Sequence, residues 1–250
     1  MDGRVALLTG AGRGIGLGIA RALASAGCAV AIQDIDLGIA QAEADRINRE
    51  GGRAIALGGD ITDVSLARRL VAETAERLGG LHVLVNNAAI QSVQHWLEAP
   101  PEQMERELRA DVVVPILLAQ QAVPLLRRHR QGRILHIGSI QGRLGNPKMM
   151  AYAAAKNALE AVTKAMARDL APAAITVNLL CPGYFDTWRN RFDFTDEQDK
   201  QRKGKAHVPL GWVGQAEDIA GIALALCSDA GRYVTGQVIY VDDGLSVKAP

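Results

Sequence analysis

The chain reads as a doubly wound α/β protein, a mostly parallel seven-stranded sheet with helices on both faces. Three observations predict it. Short apolar runs, of the kind buried on both faces of a parallel sheet, alternate with longer segments of helical periodicity. A glycine-rich turn, TGAGRGIG (9–16), joins the first apolar run to the first helical segment. No repeat, low-complexity tract or linker interrupts the rhythm, and 250 residues suit one domain, 1–250.

The elements follow in order. VALL (5–8) is the first strand. Apolar residues recur at helical spacing from Ile15 to Ala26, and Gly27 is a good helix stop. Residues 29–32 form the second strand, which Asp34 ends. Strand signals then lie within 53–60, 82–89, 133–139, 175–183 and 237–244, with helices at 37–49, 64–78, 102–128, 151–171 and 216–228. The most apolar stretch, 111–126, contains polar residues and two prolines. It reads as a buried helix too short to span a bilayer. Residues 188–210 break the pattern with many charges and little apolar periodicity, which suits a functional or mobile insertion.

Composition narrows the function classes. With 28 basic and 27 acidic residues, neither a nucleic acid nor a membrane partner is expected. Cys28, Cys181 and Cys227 sit in apolar surroundings without pairing or metal spacing. They read as small core residues of a reducing, cytoplasmic compartment, and no metal is expected. The first strand begins at once, so no signal peptide is expected.

Two constellations carry chemistry. The glycines fit G-x-x-x-G-x-G as Gly10, Gly14 and Gly16, with Gly12 as an extra and Ile15 where the stricter G-x-G-x-x-G has its last glycine. Between a strand and a helix, with Asp34 about twenty positions on, this pattern points to a dinucleotide whose pyrophosphate meets the helix N-terminus. The second is Tyr152 and Lys156, stacked at i and i+4 on one helix face, with Ser139 at the end of a strand. An ammonium beside a phenol favours the phenolate, and a nearby hydroxyl can orient a substrate oxygen. That is proton-transfer machinery for interconverting an alcohol and a carbonyl.

TGAGRGIG, NNAA (86–89), Ser139, Tyr152-x-x-x-Lys156 and CPGYFDT (181–187), in this order and spacing, resemble the short-chain dehydrogenase/reductase family across the chain from Arg4 to about Val247. The resemblance implies a Rossmann-like fold, a Ser139–Tyr152–Lys156 proton relay and a homotetramer built on long helix pairs and the last strand. It assigns the adenine to Asp60 and Ile61, the cofactor ribose to Asn87 and Ala88, and the nicotinamide pocket to Pro182, Gly183, Phe185 and Thr187. Lys156 would also hold the nicotinamide ribose. The family's catalytic asparagine falls on Asp111. It works there largely through its backbone carbonyl, which Pro115, lacking an N–H, would leave unsatisfied here. Whether side chain or carbonyl serves is left open. Ala89 and Asp243 also depart from the usual NNAG and VDGG.

Asp34 would accept from both adenosine ribose hydroxyls and repel a 2′-phosphate, so NAD is expected. Arg13, which can pair with that phosphate, is the contrary signal. Gln91, Gln141, Asn146, Tyr184 and Trp188 are expected to face the substrate, with Arg189, Asn190 and Arg191 on the segment above. Their polarity suits a polyol, sugar or sugar acid. The alternatives are a 3-oxoacyl thioester reductase using NADPH, with a basic patch for its carrier, and a catalytically silent NAD-binding regulator. The intact Ser139, Tyr152 and Lys156 argue against the latter.

Overall fold

A computed structural model describes residues 1–129, 131–190 and 193–247. The elements run β1 (Val5–Leu8), α1 (Gly14–Ser25), β2 (Ala29–Asp34), α2 (Leu37–Arg49), β3 (Ala54–Gly58), α3 (Leu66–Leu78), β4 (Val83–Asn86), α4 (Pro101–Leu108), α5 (Val114–His129), β5 (Arg133–Ile137), α6 (Gln141–Leu144), α7 (Met150–Leu170), β6 (Thr176–Pro182), α8 (Glu197–His207), α9 (Ala216–Cys227) and β7 (Val238–Val241). The seven strands form one sheet in the order β3-β2-β1-β4-β5-β6-β7, and every pairing is parallel. β1 is followed on one side by β2 and on the other by β4. The order in which strands are added therefore reverses between β1 and β4, and a crevice opens beyond their carboxyl ends.

Side chains of each strand point alternately to two cores. Leu8, Ile32, Val85 and Leu135 pack under α1, α2 and α9, whereas Leu7, Leu84, Ile134 and Val177 pack under α3, α5 and α7. The three cysteines are buried and free, and burial pushes the Cys28 and Cys227 thiols up to about 12 and Cys181 to about 11.

Two helical features differ from the sequence expectation. The helix expected at 102–128 forms, with α4 and α5 in one run, Pro101–His129. The apolar stretch read as too short to span a bilayer, however, belongs to a helix long and apolar enough by length and composition to cross one. It packs on the sheet instead, burying Val114, Leu118, Ala122 and Leu126. A π turn, Arg109–Val113, joins its halves, and Val114 N–H donates to the carbonyl of Arg109, five residues back. Pro115 offers no N–H to the carbonyl of Asp111, so the ladder widens where the regular bond is missing.

The second difference lies in the polar insertion. α8 carries no apolar stripe, so periodicity misses it. Asp196 caps it through Asp199 N–H at 2.8 Å, and charged pairs hold it, Lys200 with Glu197 at 2.7 Å and Lys203 with Asp199 at 2.9 Å. Lys200 also reaches Asp186 at 2.9 Å, which ties the helix back to the end of β6. Arg191, expected to face the substrate, lies outside the described residues.

Candidate active site

The glycine turn is built to receive an anion. α1 has no side-chain cap and no acidic residue in its first turn, which leaves its N–H groups open. Gly14 has φ +58°, a left-handed backbone that only glycine adopts at little cost. A Cβ on Gly12 would stand 2.7 Å from Asp34 Oδ2, the atom that accepts the Gly12 N–H at 3.1 Å. Asp34 is buried, its carboxylate held against the turn where an adenosine ribose would meet it. Asn87 Nδ2 donates to the carbonyls of Thr9 and Gly10, and Ala88 N–H to Thr9 Oγ1, so the end of β4 is stapled to the same turn. These features fit a dinucleotide.

Beside the turn opens a cleft of about 470 Å³. Gly10, Arg13, Gly14, Ile15, Gly16 and Asn87 form its floor on one side, and Pro182, Gly183, Phe185 and Thr187 form the other. Ser139, Gln141, Tyr152, Lys156, Gln91, Tyr184 and Trp188 meet in it as expected. Gln141 Oε1 is buried with no protein partner and can accept from a substrate hydroxyl. Burial and the nearby Asp193 push the Tyr184 phenol up to about 12, so it remains a hydrogen-bond donor. Asn146 lies outside the cleft lining; its Oδ1 accepts the Lys148 N–H at 3.0 Å in a local turn. Asp60 also stands apart from the cleft. Its Oδ1 accepts from the Thr62 N–H and hydroxyl at 2.9 Å, a bond that holds its carboxyl below the usual range, and Ile61 is buried beside it.

The corner around Tyr152 is buried. Tyr152 and Lys156 are 5% and 4% exposed, and Lys156 Nζ lies 5.4 Å from the centre of the Tyr152 ring. α7 packs on β6, and Lys156 Nζ donates to the Ile137 carbonyl at the end of β5 at 3.1 Å. Asp111, wholly buried, places Oδ2 3.5 Å from that ammonium while Oδ1 accepts the Ile90 N–H at 2.8 Å. The π turn thus presents the carboxylate itself to the lysine, a contact that spacing along the chain does not reveal. Burial raises the Asp111 carboxyl above the usual range, and the Lys156 charge opposes that rise.

Sequence reasoning also passed over His136. It is wholly buried on β5, Asn86 Nδ2 donates to its Nδ1 at 3.1 Å, and its Nε2 has no protein partner. Burial, with the Lys156 charge adding, lowers it to about 4, so it is uncharged at neutral pH. Nothing in a single histidine within a strand marks this; only the strand pairing Asn86↔His136 does.

Residues 10–246 match the family model described as enoyl-(acyl carrier protein) reductase. The chain is 34% identical over 249 residues to the 3-oxoacyl-[acyl-carrier-protein] reductase FabG of Aquifex aeolicus, covering 98% of each. It is 33% identical over 246 residues to that of Escherichia coli, again covering 98% of each. Among solved structures, a gluconate 5-dehydrogenase from Burkholderia cenocepacia in complex with NADP and tartrate superposes with a TM-score of 0.91 at 35% identity, over 100% of this chain and 97% of the other. A putative short-chain alcohol dehydrogenase from Sinorhizobium meliloti gives 0.92 at 34%, over 100% and 98%.

Proposed function

The chain belongs to the short-chain dehydrogenase/reductase family, and we propose that it oxidises a secondary alcohol of a polyol, sugar or sugar acid with NAD as acceptor. Its class is oxidoreductase acting on CH–OH or C=O with a nicotinamide cofactor. The observation that carries the proposal is the meeting of Ser139, Gln141, Tyr152 and Lys156 in one cleft against the glycine turn.

When bound, the cofactor supplies the two-electron acceptor or donor. Ser139 Oγ holds the substrate oxygen, and Tyr152 takes the hydroxyl proton in oxidation or returns it in reduction. The Lys156 ammonium stabilises negative charge on the phenol oxygen, while the buried Asp111 balances that ammonium. Gln141 Oε1 and Gln91 receive the further hydroxyls of the substrate. Asp34 supports NAD, because a 2′-phosphate would meet a buried carboxylate at close range. The gluconate 5-dehydrogenase relative supports the substrate class, although its own bound cofactor is NADP.

The FabG relatives favour a second reading, reduction of a 3-oxoacyl thioester with NADPH. Arg13 would then serve the 2′-phosphate, but its guanidinium lies 4.4 Å over the Trp188 ring. Absorbance at 340 nm separates the two. The first reading expects NADH formation with polyols, sugars or aldonates. NADPH consumption with acetoacetyl thioester, and none of the former, would replace it. The proposed homotetramer is supported by the half-exposed apolar edge strand β7 and by Leu108 and Val113, exposed on the Pro101–His129 helix. Sedimentation as a monomer at micromolar concentration would remove it.

A further inference from the structure

We infer that Arg189 is a specificity residue that binds a carboxylate of the substrate, so that the molecule taken is a sugar acid rather than a neutral polyol. The inference rests on the hydroxyl-rich substrate proposed above and narrows it. Arg189 follows the last strand-end motif on the rim of the cleft, yet its guanidinium turns back across the mouth. One Nη donates to the Ala89 carbonyl at 3.0 Å and the other to Gln91 Oε1 at 3.3 Å. These contacts use two of the five N–H donors and fix the plane of the fork, leaving donors to meet a carboxylate. The guanidinium carbon stands 6.0 Å from the centre of the Tyr152 ring. An anion held there belongs to the same small molecule as the hydroxyl that Tyr152 deprotonates.

Among the described residues, the other cations lining the cleft are already engaged. Lys156 lies buried against Asp111 and Ile137, and Arg13 lies over Trp188 beside the glycine turn. Asp193 lines the cleft beside Tyr184, whose hydroxyl reaches its carboxylate at 3.5 Å. The cleft is therefore polarised, positive beside Tyr152 and negative beside Tyr184. That arrangement orients an aldonate, with its carboxylate toward Arg189 and its hydroxyl tail toward Gln141 and Asp193. Gln91, which also lines the cleft, positions the guanidinium.

D-gluconate and D-sorbitol differ only in a carboxylate in place of a hydroxymethyl group, and sorbitol 6-phosphate carries a different anion. The three are compared as substrates, with NAD⁺, for the unmodified protein and for Arg189→Met and Arg189→Lys, after thermal melting shows the variants folded. The unmodified protein should prefer gluconate. Arg189→Met should lower kcat/KM for gluconate by about 10–100-fold, the range for losing a hydrogen-bonded charge. The loss should lie in KM, with sorbitol changed less than about twofold and Arg189→Lys recovering part of it. Equal losses on gluconate and sorbitol would make Arg189 a structural clamp and overturn the inference. Preference for sorbitol or its phosphate would overturn it too while leaving the proposed function standing. Turnover of none of the three would instead sink the hydroxyl-rich substrate and the inference together.

Discussion

The two ends of the sheet each carry a hollow, and they differ in the polar groups they leave free. At the amino ends of the strands a hollow of about 620 Å³ lies among Met1, Arg4, His82, His129, Gln131 and Asp229. Its polar groups are already matched. Arg4 pairs with Asp229 and donates to Gln131 at 2.9 Å and to the Cys227 carbonyl at 3.3 Å, and the Val5 N–H donates to His82 at 3.1 Å. At the carboxyl ends the cleft keeps groups in hand: open N–H groups on α1, Gln141 Oε1 without a partner and spare donors on Arg189. Volume comes from how elements are trimmed, whereas function needs polar groups that folding leaves unsatisfied.

The comparison breaks first at Tyr152. Tyr152→Phe keeps the ring and removes the acid/base oxygen, so steady-state turnover should fall by roughly 10²–10⁴-fold. Cofactor binding, followed by calorimetry, should hardly change. Retained turnover would mean that the cleft is not the reactive end.

Asp111 tests what the buried corner needs. Asp111→Ala removes the counter-charge of a buried ammonium and should cost about 3–5 kcal/mol in denaturant unfolding. Asp111→Asn keeps an acceptor for the Ile90 N–H and the π turn, so turnover should stay within about tenfold of the unmodified rate, far short of losing a general acid or base. Abolished turnover in Asp111→Asn would make the carboxylate a working group in proton transfer rather than a partner for Lys156.

Asp34 sharpens the cofactor half. Asp34→Ala removes the like charge from the Gly12 N–H and should narrow or reverse an NAD preference in kcat/KM. Equal use of NADPH by the unmodified protein would refute the NAD assignment.

Acid stability sets the two ends side by side. Burial lowers His136 and His82 to about 4, from an ordinary 6.5. Between those values the unfolded chain binds protons that the folded one does not, so stability rises with pH and is lost as pH falls from 6.5 toward 4. The fully buried His136 contributes at most about 1.4 kcal/mol per pH unit in that window. His136→Asn should flatten the melting temperature against pH there, and an unchanged slope would exclude it as a source.

The smallest effect belongs to the amino-end hollow. Asp229→Asn should lower the melting temperature slightly, since Asp229 is largely exposed, and should leave kcat/KM untouched. A kinetic effect would show that the two ends are coupled.

The sequence by itself determined the elements whose residues act on near neighbours in the chain. The parallel strands, the glycine turn and helices such as Leu37–Arg49 and Ala216–Cys227 are local patterns of apolar period and backbone freedom. Tyr152 above Lys156 is one helix turn, legible for the same reason. α8 escaped because charge pairs and a cap hold it rather than an apolar stripe. Tertiary structure alone decided what meets across elements: Asp111 against Lys156, His136 beneath Asn86, and Arg189 laid back over Ala89 and Gln91. Those contacts join residues 45, 50 and about 100 positions apart, brought together by packing of helices on a shared sheet. Periodicity carries no record of such meetings, because the energy that selects them comes from burial of whole faces and not from the sequence between the partners.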